Sequence, residues 1–561
     1  MKNFNREDVN PETFYDIQDD ATWAIARMMP QLMLIYSISI GLLGTVGVVL
    51  LRFQQYSPAL GFGIGWIFLS FAAFGLVIAL VHAFLAYLRP LDKFTSRLGA
   101  EPLDPEDRYH SIFKNVVEEI SLAAPVSYVS ARVIPTPRTN ALAAGDQQVA
   151  EVMITEGALG QLSREELQTV VAHELAHIAY GDARLKLFTA NILEIFEIFN
   201  FEKISKSSRS VGGFRTRGTR GRGALVILVL ALLAPLLKGL NRIFATGISL
   251  QREWRADATA VEYSRNPLAL ARALYRLGSL KSKSVSVGLP APVRDYRESV
   301  ASPAYSQLLL VPFDSASRGV KEISWWEKLF LSHPPVENRI ARTLNLARVP
   351  YSDFKRQVER ERSSPQLDLP ALRDKEGNLL YKQNWWIYAD GSESETNLVD
   401  LLSGEGLTGE ALIAREGDED WSKPDQHRNL KAIKKLYENE KEKGNCPQCG
   451  APFCRRFYLG VPIKVCLLCG GVALSWRKVI RLETRHRDGK LPERLGNIED
   501  YTGYHGGEPI PEDEMIGAEC PDCEIPFRTK RYHATKLIVD QCPNCNLTWF
   551  EEDELAIALN L

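Results

Sequence analysis

Two histidines four residues apart, with a glutamate directly after the first, are the residues of this chain best suited to chemistry. They stand in Val170-Val171-Ala172-His173-Glu174-Leu175-Ala176-His177-Ile178. On an α-helix, positions i and i+4 share a face, so His173 and His177 can aim ring nitrogens at one point, which is half of a tetrahedral metal site. Glu174 leaves the helix one residue round from His173, where it reaches a water held at that metal without ligating the metal itself. That is where a general base belongs. Burying two imidazoles and a carboxylate among Val, Leu and Ala is costly unless a cation partners all three. Ser163-Arg164-Glu165-Glu166 fits a capping box at the start of this helix, and Gly181 fits its stop.

A catalytic site needs one more protein ligand and an open position. No further histidine follows closely in Gly181-Asp182-Ala183-Arg184-Leu185. The stronger candidate is Glu253, in Gln251-Arg252-Glu253-Trp254-Arg255-Ala256-Asp257-Ala258, on a second predicted helix where Glu253 and Asp257 share a face. Asp257 is then placed to orient a ligand histidine from behind.

HELAH, then EWRAD, then Ser332-His333-Pro334-Pro335 with Asn338-Arg339-Ile340, resembles the membrane gluzincin proteases that include HtpX and the CAAX prenyl endopeptidases. The resemblance covers about Asn140 to Leu346. It implies that His173, His177 and Glu253 bind a catalytic zinc, that Glu174 is the base, and that His333 helps stabilise the oxyanion. Thr139-Asn140-Ala141-Leu142 resembles the family's edge strand, so Asn140 and Ala141 are expected beside a substrate backbone added as an extra strand.

Further metal chemistry is written into the tail. All nine cysteines lie between residues 446 and 545, and eight fall in Cys-x-x-Cys pairs. Cys446 and Cys449 match Cys466 and Cys469 across 16 residues, and Cys520 and Cys523 match Cys542 and Cys545 across 18. Each copy resembles a zinc ribbon of the transcription factor IIB type. Four thiolates make a closed tetrahedral site with no place for water, so both zincs are expected to be structural and coupled to folding. The cofactor expectation is one catalytic and two structural Zn2+, with Cys454 left over as a small core residue. Cysteines in this pattern fit a reducing compartment better than a disulfide framework.

Several elements must hold these groups. A chain of 561 residues is too long for one ordinary domain. With 67 basic and 69 acidic residues, bulk charge names no polyanionic partner. Basic residues in the ribbons, such as Arg455, Arg456, Lys464, Arg528, Lys530 and Arg531, have acidic neighbours and read as a solvated face rather than a nucleic-acid surface. Leu32 to Leu51 and Gly61 to Leu88 carry no charge and are long enough to cross a bilayer. Lys2, Arg6 and Arg27 before the first run and Arg89, Lys93 and Arg97 after the second put both ends in the cytosol. Leu185 to Phe201 and the apolar run Ala224 to Leu237 flank an arginine-rich segment, Ser207 to Arg222. Their charges favour a hairpin lying in the membrane interface, with two short spans as the alternative. Residues 253 to 280 read as continuous helix.

The expected architecture is a multidomain membrane protein: a mainly α-helical zincin catalytic domain with a small β-sheet, an N-terminal transmembrane helical hairpin, a C-terminal small β-rich module and two zinc ribbons. The boundaries are a polar N-terminal segment 1–30, the hairpin 31–89, the peptidase 100–348 with its membrane-associated hairpin at about 185–247, and a linker 349–380. A module at 381–435 follows, then ribbons at 440–480 and 515–561. The module, with Trp385-Trp386-Ile387-Tyr388, Gly406-Leu407 and Trp421, resembles a peptide-binding GYF domain; a core built on Trp386 and Trp421 is the plainer alternative. The expected function is a zinc endopeptidase of the bacterial inner membrane, with catalytic and C-terminal domains cytosolic, acting on misfolded membrane proteins. The lipid bilayer and a peptide or protein partner of the tail complete the expected contacts. A membrane-tethered adaptor with little proteolysis is the competing expectation.

Overall fold

The computed structural model describes residues 12–53, 63–88, 99–194, 222–279, 310, 333–359, 365–374, 376–404, 410–418, 420–438, 441–486, 491–496, 498–502, 517–533 and 535–561. Ser332, most of the arginine-rich segment, and the flanking Lys2, Arg6, Arg89, Lys93 and Arg97 lie outside these residues.

Two helices are long and apolar enough to cross a membrane, α1 (Phe14–Phe53) and α2 (Ile64–Leu88). At 1.5 Å per residue, α1 is about 60 Å long, twice the hydrocarbon thickness. Its first half, within the polar segment expected for residues 1–30, is helical from Phe14. Ile17, Ala21 and Ile25 are buried there, and Gln18 Nε2 donates to Thr259 Oγ1 at 3.0 Å and to Glu262 Oε2 at 2.8 Å.

Those partners lie on α7 (Arg222–Ser264), a 43-residue helix that carries the apolar run Ala224–Leu237 at one end and Glu253 near the other. Further along, Asn241 Nδ2 of α7 donates to Ser39 Oγ of α1 at 2.9 Å. The two contacts make the helices antiparallel and in step, so the start of α7 continues beside the apolar half of α1. Phe188 and Ile192 of α6 (Asp182–Glu194) join Leu32, Tyr36, Leu43, Ala79, Ala234 and Ile248 in one cluster. The segment expected as a membrane-associated hairpin thus packs its described helices, α6 and α7, against α1 and α2. Apolar side chains find one another across four helices. The expected continuous helix over 253–280 also breaks, at Arg265 with φ 54°, before α8 (Pro267–Ser279).

The domain that follows comprises a four-stranded sheet in the order β1 (Glu101–Pro102), β2 (Tyr128–Ile134), β4 (Val149–Thr155), β3 (Ala141–Gly145). β2 and β4 are parallel, and the other pairs are antiparallel. β3 is the edge. Against the sheet pack α3 (Arg108–Ser121) and α5 (Arg164–Ala179), with Phe113, Val117, Val152, Ile154, Val170, Val171 and Leu175 in one core. α5 starts on the expected capping box: Glu166 N–H donates to Ser163 Oγ, and Ser163 N–H donates to Glu166 Oε2. Gly181, with φ 67°, turns the chain after it. α9 (Val336–Ala347) and α10 (Tyr351–Glu359) complete the domain. Phe354 and Val358 of α10 are buried in the same core, so the segment expected to be linker begins as structure.

A three-stranded sheet β6 (Ser392–Thr396), β5 (Trp385–Ala389), β7 (Leu412–Arg415) follows, between short helices. Strand alternation buries Trp385 and Ile387 and turns Tyr388 outward. Its core aromatic is therefore Trp385, fully buried, while Trp421 is 39% exposed, so the alternative of a core built on Trp386 and Trp421 does not hold.

The two cysteine repeats do not stand apart. β8 (Lys441–Asn445), β9 (Pro452–Tyr458), β10 (Val461–Val465) and β11 (Val472–Ser475) form one half of a seven-stranded sheet. β12 (Arg528–Arg531), β13 (Ile538–Gln541) and β14 (Leu547–Phe550) form the other, and β11 pairs antiparallel with β14 to join them. A Cβ on Gly471 would stand 2.2 Å from the Trp549 ring of the second repeat, so only glycine lets the halves close. α13 (Trp476–Arg485) follows β11 and packs on the domain that carries β1–β4.

Candidate metal centre

α5 presents its two histidines on one face, with Nε2 of His173 and Nε2 of His177 3.2 Å apart. α7 brings Glu253 opposite them. Its Oε2 lies 3.6 Å from His173 Nε2 and its Oε1 3.5 Å from His177 Nε2. Ligands about 2.0–2.1 Å from a tetrahedral ion stand about 3.3–3.4 Å from one another, so these separations fit a small divalent cation. A second observation agrees. Glu253 is 1% exposed, and both its carboxylate oxygens are buried without a hydrogen bond among the described residues. Arg339 Nη1 stands 3.6 Å from its Oε2 without hydrogen-bonding it, so the carboxylate still has capacity for a metal cation.

Each imidazole is backed by a carboxylate. His173 Nδ1 lies 3.0 Å from Asp257 Oδ1, and His177 Nδ1 lies 2.7 Å from Asp182 Oδ2. Arg339 of α9 forks onto Asp257 at 2.8 and 2.7 Å, and Arg255 holds Asp182 at 2.9 Å. These contacts set which ring nitrogen faces the centre.

Electrostatics differ between the two rings. Burial lowers His177 to about 4 and His333 to about 3, leaving neutral imidazoles. Burial pulls His173 the same way, but contacts with Asp257 and Glu253 outweigh it and raise the ring to about 9. Burial pushes Glu174 up to about 7. Burial would likewise raise Glu253, yet its surroundings, with the charged His173 ring and the Arg339 guanidinium, hold it well below its ordinary value.

The other expected residues also converge. His333 is buried, with Nε2 3.6 Å from Glu253 Oε1. Asn140 is buried at the start of β3, its N–H donating to Thr155 Oγ1 at 2.9 Å. Ala141 begins the edge strand, though Leu310 N–H already donates to its carbonyl at 3.2 Å. Since alternate residues of an edge strand point their backbone groups outward, Ala143 shares this orientation, and its N–H meets the Glu174 carboxylate.

Three residues were not singled out by sequence. Asp182 could have been found as the acid just past the helix stop, five residues after His177. Ala143 follows from the period of the edge strand. Lys186, read from the sequence as a charge resisting membrane insertion, is instead buried beside the site. Burial pushes its ammonium down to about 8, against the pull of Glu253, Glu174 and Asp182.

In the tail, each set of four thiols gathers within 4.8 Å. Cys446 Sγ lies 3.5 Å from Cys469 Sγ and Cys449 Sγ 3.4 Å from Cys466 Sγ; Cys523 Sγ lies 3.3 Å from Cys542 Sγ and Cys520 Sγ 3.6 Å from Cys545 Sγ. Both are four-cysteine sites able to hold a metal ion. Cys454 is buried in the shared core.

An HExxH helix, a glutamate from a second helix and an edge strand beside them define a metallopeptidase. The family model "Peptidase family M48" matches residues 104–347. The chain is 31% identical over 295 residues to a protease HtpX homolog of Thermoanaerobacter pseudethanolicus, covering 51% of this chain and 90% of that protein. It is 33% identical over 310 residues to a protease HtpX homolog of Streptococcus pneumoniae, covering 53% and 94%. The chain belongs to peptidase family M48. It is a metalloprotease, and with two apolar helices at its N-terminus a membrane-associated one.

Proposed function

We propose that the chain is a membrane-anchored zinc endopeptidase whose catalytic zinc is held by His173, His177 and Glu253, with Glu174 as general base. The observation that carries this reading is the buried carboxylate of Glu253, unpartnered by hydrogen bonds and facing two imidazole nitrogens at 3.5 and 3.6 Å. Zinc, when bound there, supplies a Lewis acid that activates water and polarises a carbonyl. Glu174 takes the proton of the attacking water and passes it to the leaving amine. Asp257 and Asp182 hold the ligand rings in orientation. His333, kept neutral by burial, donates a hydrogen bond to the oxygen on which charge develops. A substrate backbone lies along β3 and meets the outward carbonyl of Ala143.

α1 and α7 lie together along the apolar run of α1, so both spanning is a better reading than an interfacial hairpin. The catalytic and C-terminal domains then face the cytosol of a bacterial inner membrane, and the substrates are misfolded membrane proteins. The GYF-like module and two structural zincs in the ribbons complete the reading, the module as a site for a peptide or protein partner. Detergent-purified wild type should cleave an unfolded model protein, while Glu174→Gln should keep its metal and lose cleavage. Equal cleavage by both would remove Glu174 from the mechanism.

A further inference from the structure

We propose that the cysteine-rich tail braces the substrate strand of the peptidase, with Arg481 and Arg485 as its positioning residues. The proposal deepens the function above and rests on β3 as the strand a substrate joins.

The two arginines are four residues apart on α13, so they leave one face together. Val479 and Leu482, elsewhere round the same helix, are buried in the core of the cysteine-rich sheet. Arg485 is fully buried, and so are the carboxylates it meets on the peptidase. Its Nε donates to Glu156 Oε2 at 2.8 Å, and its Nη1 donates to Asp107 Oδ1 at 3.0 Å and to the Leu459 carbonyl at 2.7 Å. Arg481 Nη1 donates to Asp104 Oδ2 at 2.8 Å, and its Nε lies 3.1 Å from Glu156 Oε1. His110 Nε2 stands 3.2 Å from the same oxygen of Glu156. Asp107 also caps α3, accepting from Tyr109 N–H and His110 N–H. Without the arginines these two buried carboxylates would keep only the His110 ring and two backbone N–H groups, so the docked tail supplies their countercharge.

Glycines set the closeness of approach. A Cβ on Gly160 would stand 2.6 Å from the Arg485 carbonyl oxygen, and one on Gly460 would stand 2.6 Å from the Tyr109 ring. Arg108 N–H donates to the Gly460 carbonyl at 2.9 Å across the same joint.

From Glu156 the path to the substrate strand is one residue long. Thr155 accepts from Asn140 N–H at 2.9 Å through its hydroxyl, and its own N–H donates to the Asn140 carbonyl at 3.0 Å. Gly157 N–H donates to the Thr136 carbonyl at 3.0 Å and fixes the loop that leads into β3. The grip on Glu156 thus fixes where the edge strand begins. A tail that only delivered substrates would need no buried charge at this point.

The test compares the full chain with two variants that touch no group in the catalytic machinery. Arg485→Met removes the grip, and Gly160→Ala wedges the joint while leaving every charge in place. Amide exchange at residues 140–145 should quicken at least about tenfold in both. For a peptide substrate, KM should rise about fivefold with kcat within about twofold of wild type. Arg485→Lys should recover part of the effect. If amides in 476–485 quicken while those in 140–145 do not, the tail has detached without consequence for the strand and the proposal is overturned. If residues 140–145 quicken but KM and kcat hold, the brace stands and β3 is not the substrate strand.

Discussion

The Nδ1 of His177 lies 2.7 Å from Oδ2 of Asp182, an acid that begins the helix after HELAH and is itself held by Arg255 at 2.9 Å. Burial would raise Asp182, but Arg252, His177 and Arg255 hold it below its ordinary value, so it stays a carboxylate. Asp182→Asn removes that charge while keeping the shape. Metal affinity at the His173, His177, Glu253 site should fall about 10- to 100-fold, read by competition with a chromogenic chelator. An unchanged affinity would leave Asp182 a purely structural acid.

Arg339→Met should be harsher. It strips the fork from Asp257, a buried carboxylate that also faces His173. Breaking such a pair costs about 3–5 kcal/mol, so the variant should unfold at distinctly lower denaturant than wild type. A loss under about 1 kcal/mol would show that Asp257 finds another partner.

The carboxylates of Glu156 and Asp257 give stability a direction with pH. Burial would raise both, but Arg485 and His110 hold Glu156 below its ordinary 4.5, and Arg339 and His173 hold Asp257 below 3.8. The folded state therefore binds fewer protons than the unfolded one, and their contribution is complete above about 4.5 and lost as pH falls through the folded values. The stability that Arg485→Met loses relative to wild type should stay level from pH 7 to about pH 5 and shrink below pH 4.5, since the metal-centre groups titrate alike in both chains. A difference that grew on acidification would contradict the assignment.

Because β11 and β14 join the repeats, metal loss at one site should reach the other. Cys466→Ser should release zinc from the first site and also expose the second half, including Trp549, to protease. Independent ribbons would leave the second half protected.

Gln18→Leu tests whether α1 belongs to the peptidase. Losing two hydrogen bonds to α7 should lower stability by about 1–2 kcal/mol, measured by thermal unfolding in detergent. A tether would feel nothing.

The local features were legible because they depend on spacing alone. The capping box at Ser163, the i, i+4 pair of histidines and the paired Cys-x-x-Cys steps are short-range patterns. Glu253 was within reach because its helix carries a second acid, Asp257, on the same face. The meeting of distant elements was not legible. Nothing in Arg485 distinguishes it from a surface arginine until Glu156 and Asp107 are brought to it, and the joining of β11 to β14 leaves no trace in the interval between repeats. Lys186 reads from the sequence as a charge that resists membrane insertion, and only the fold shows it buried beside Glu253, Glu174 and Asp182.

The most direct measurement is zinc per chain in wild type and Glu253→Gln. One catalytic site and two four-cysteine sites predict about three zincs for wild type and about two for the variant, with cleavage lost and both ribbons intact. A variant that keeps all three, or a wild type that cleaves with only two, would place the catalytic metal elsewhere and contradict the account.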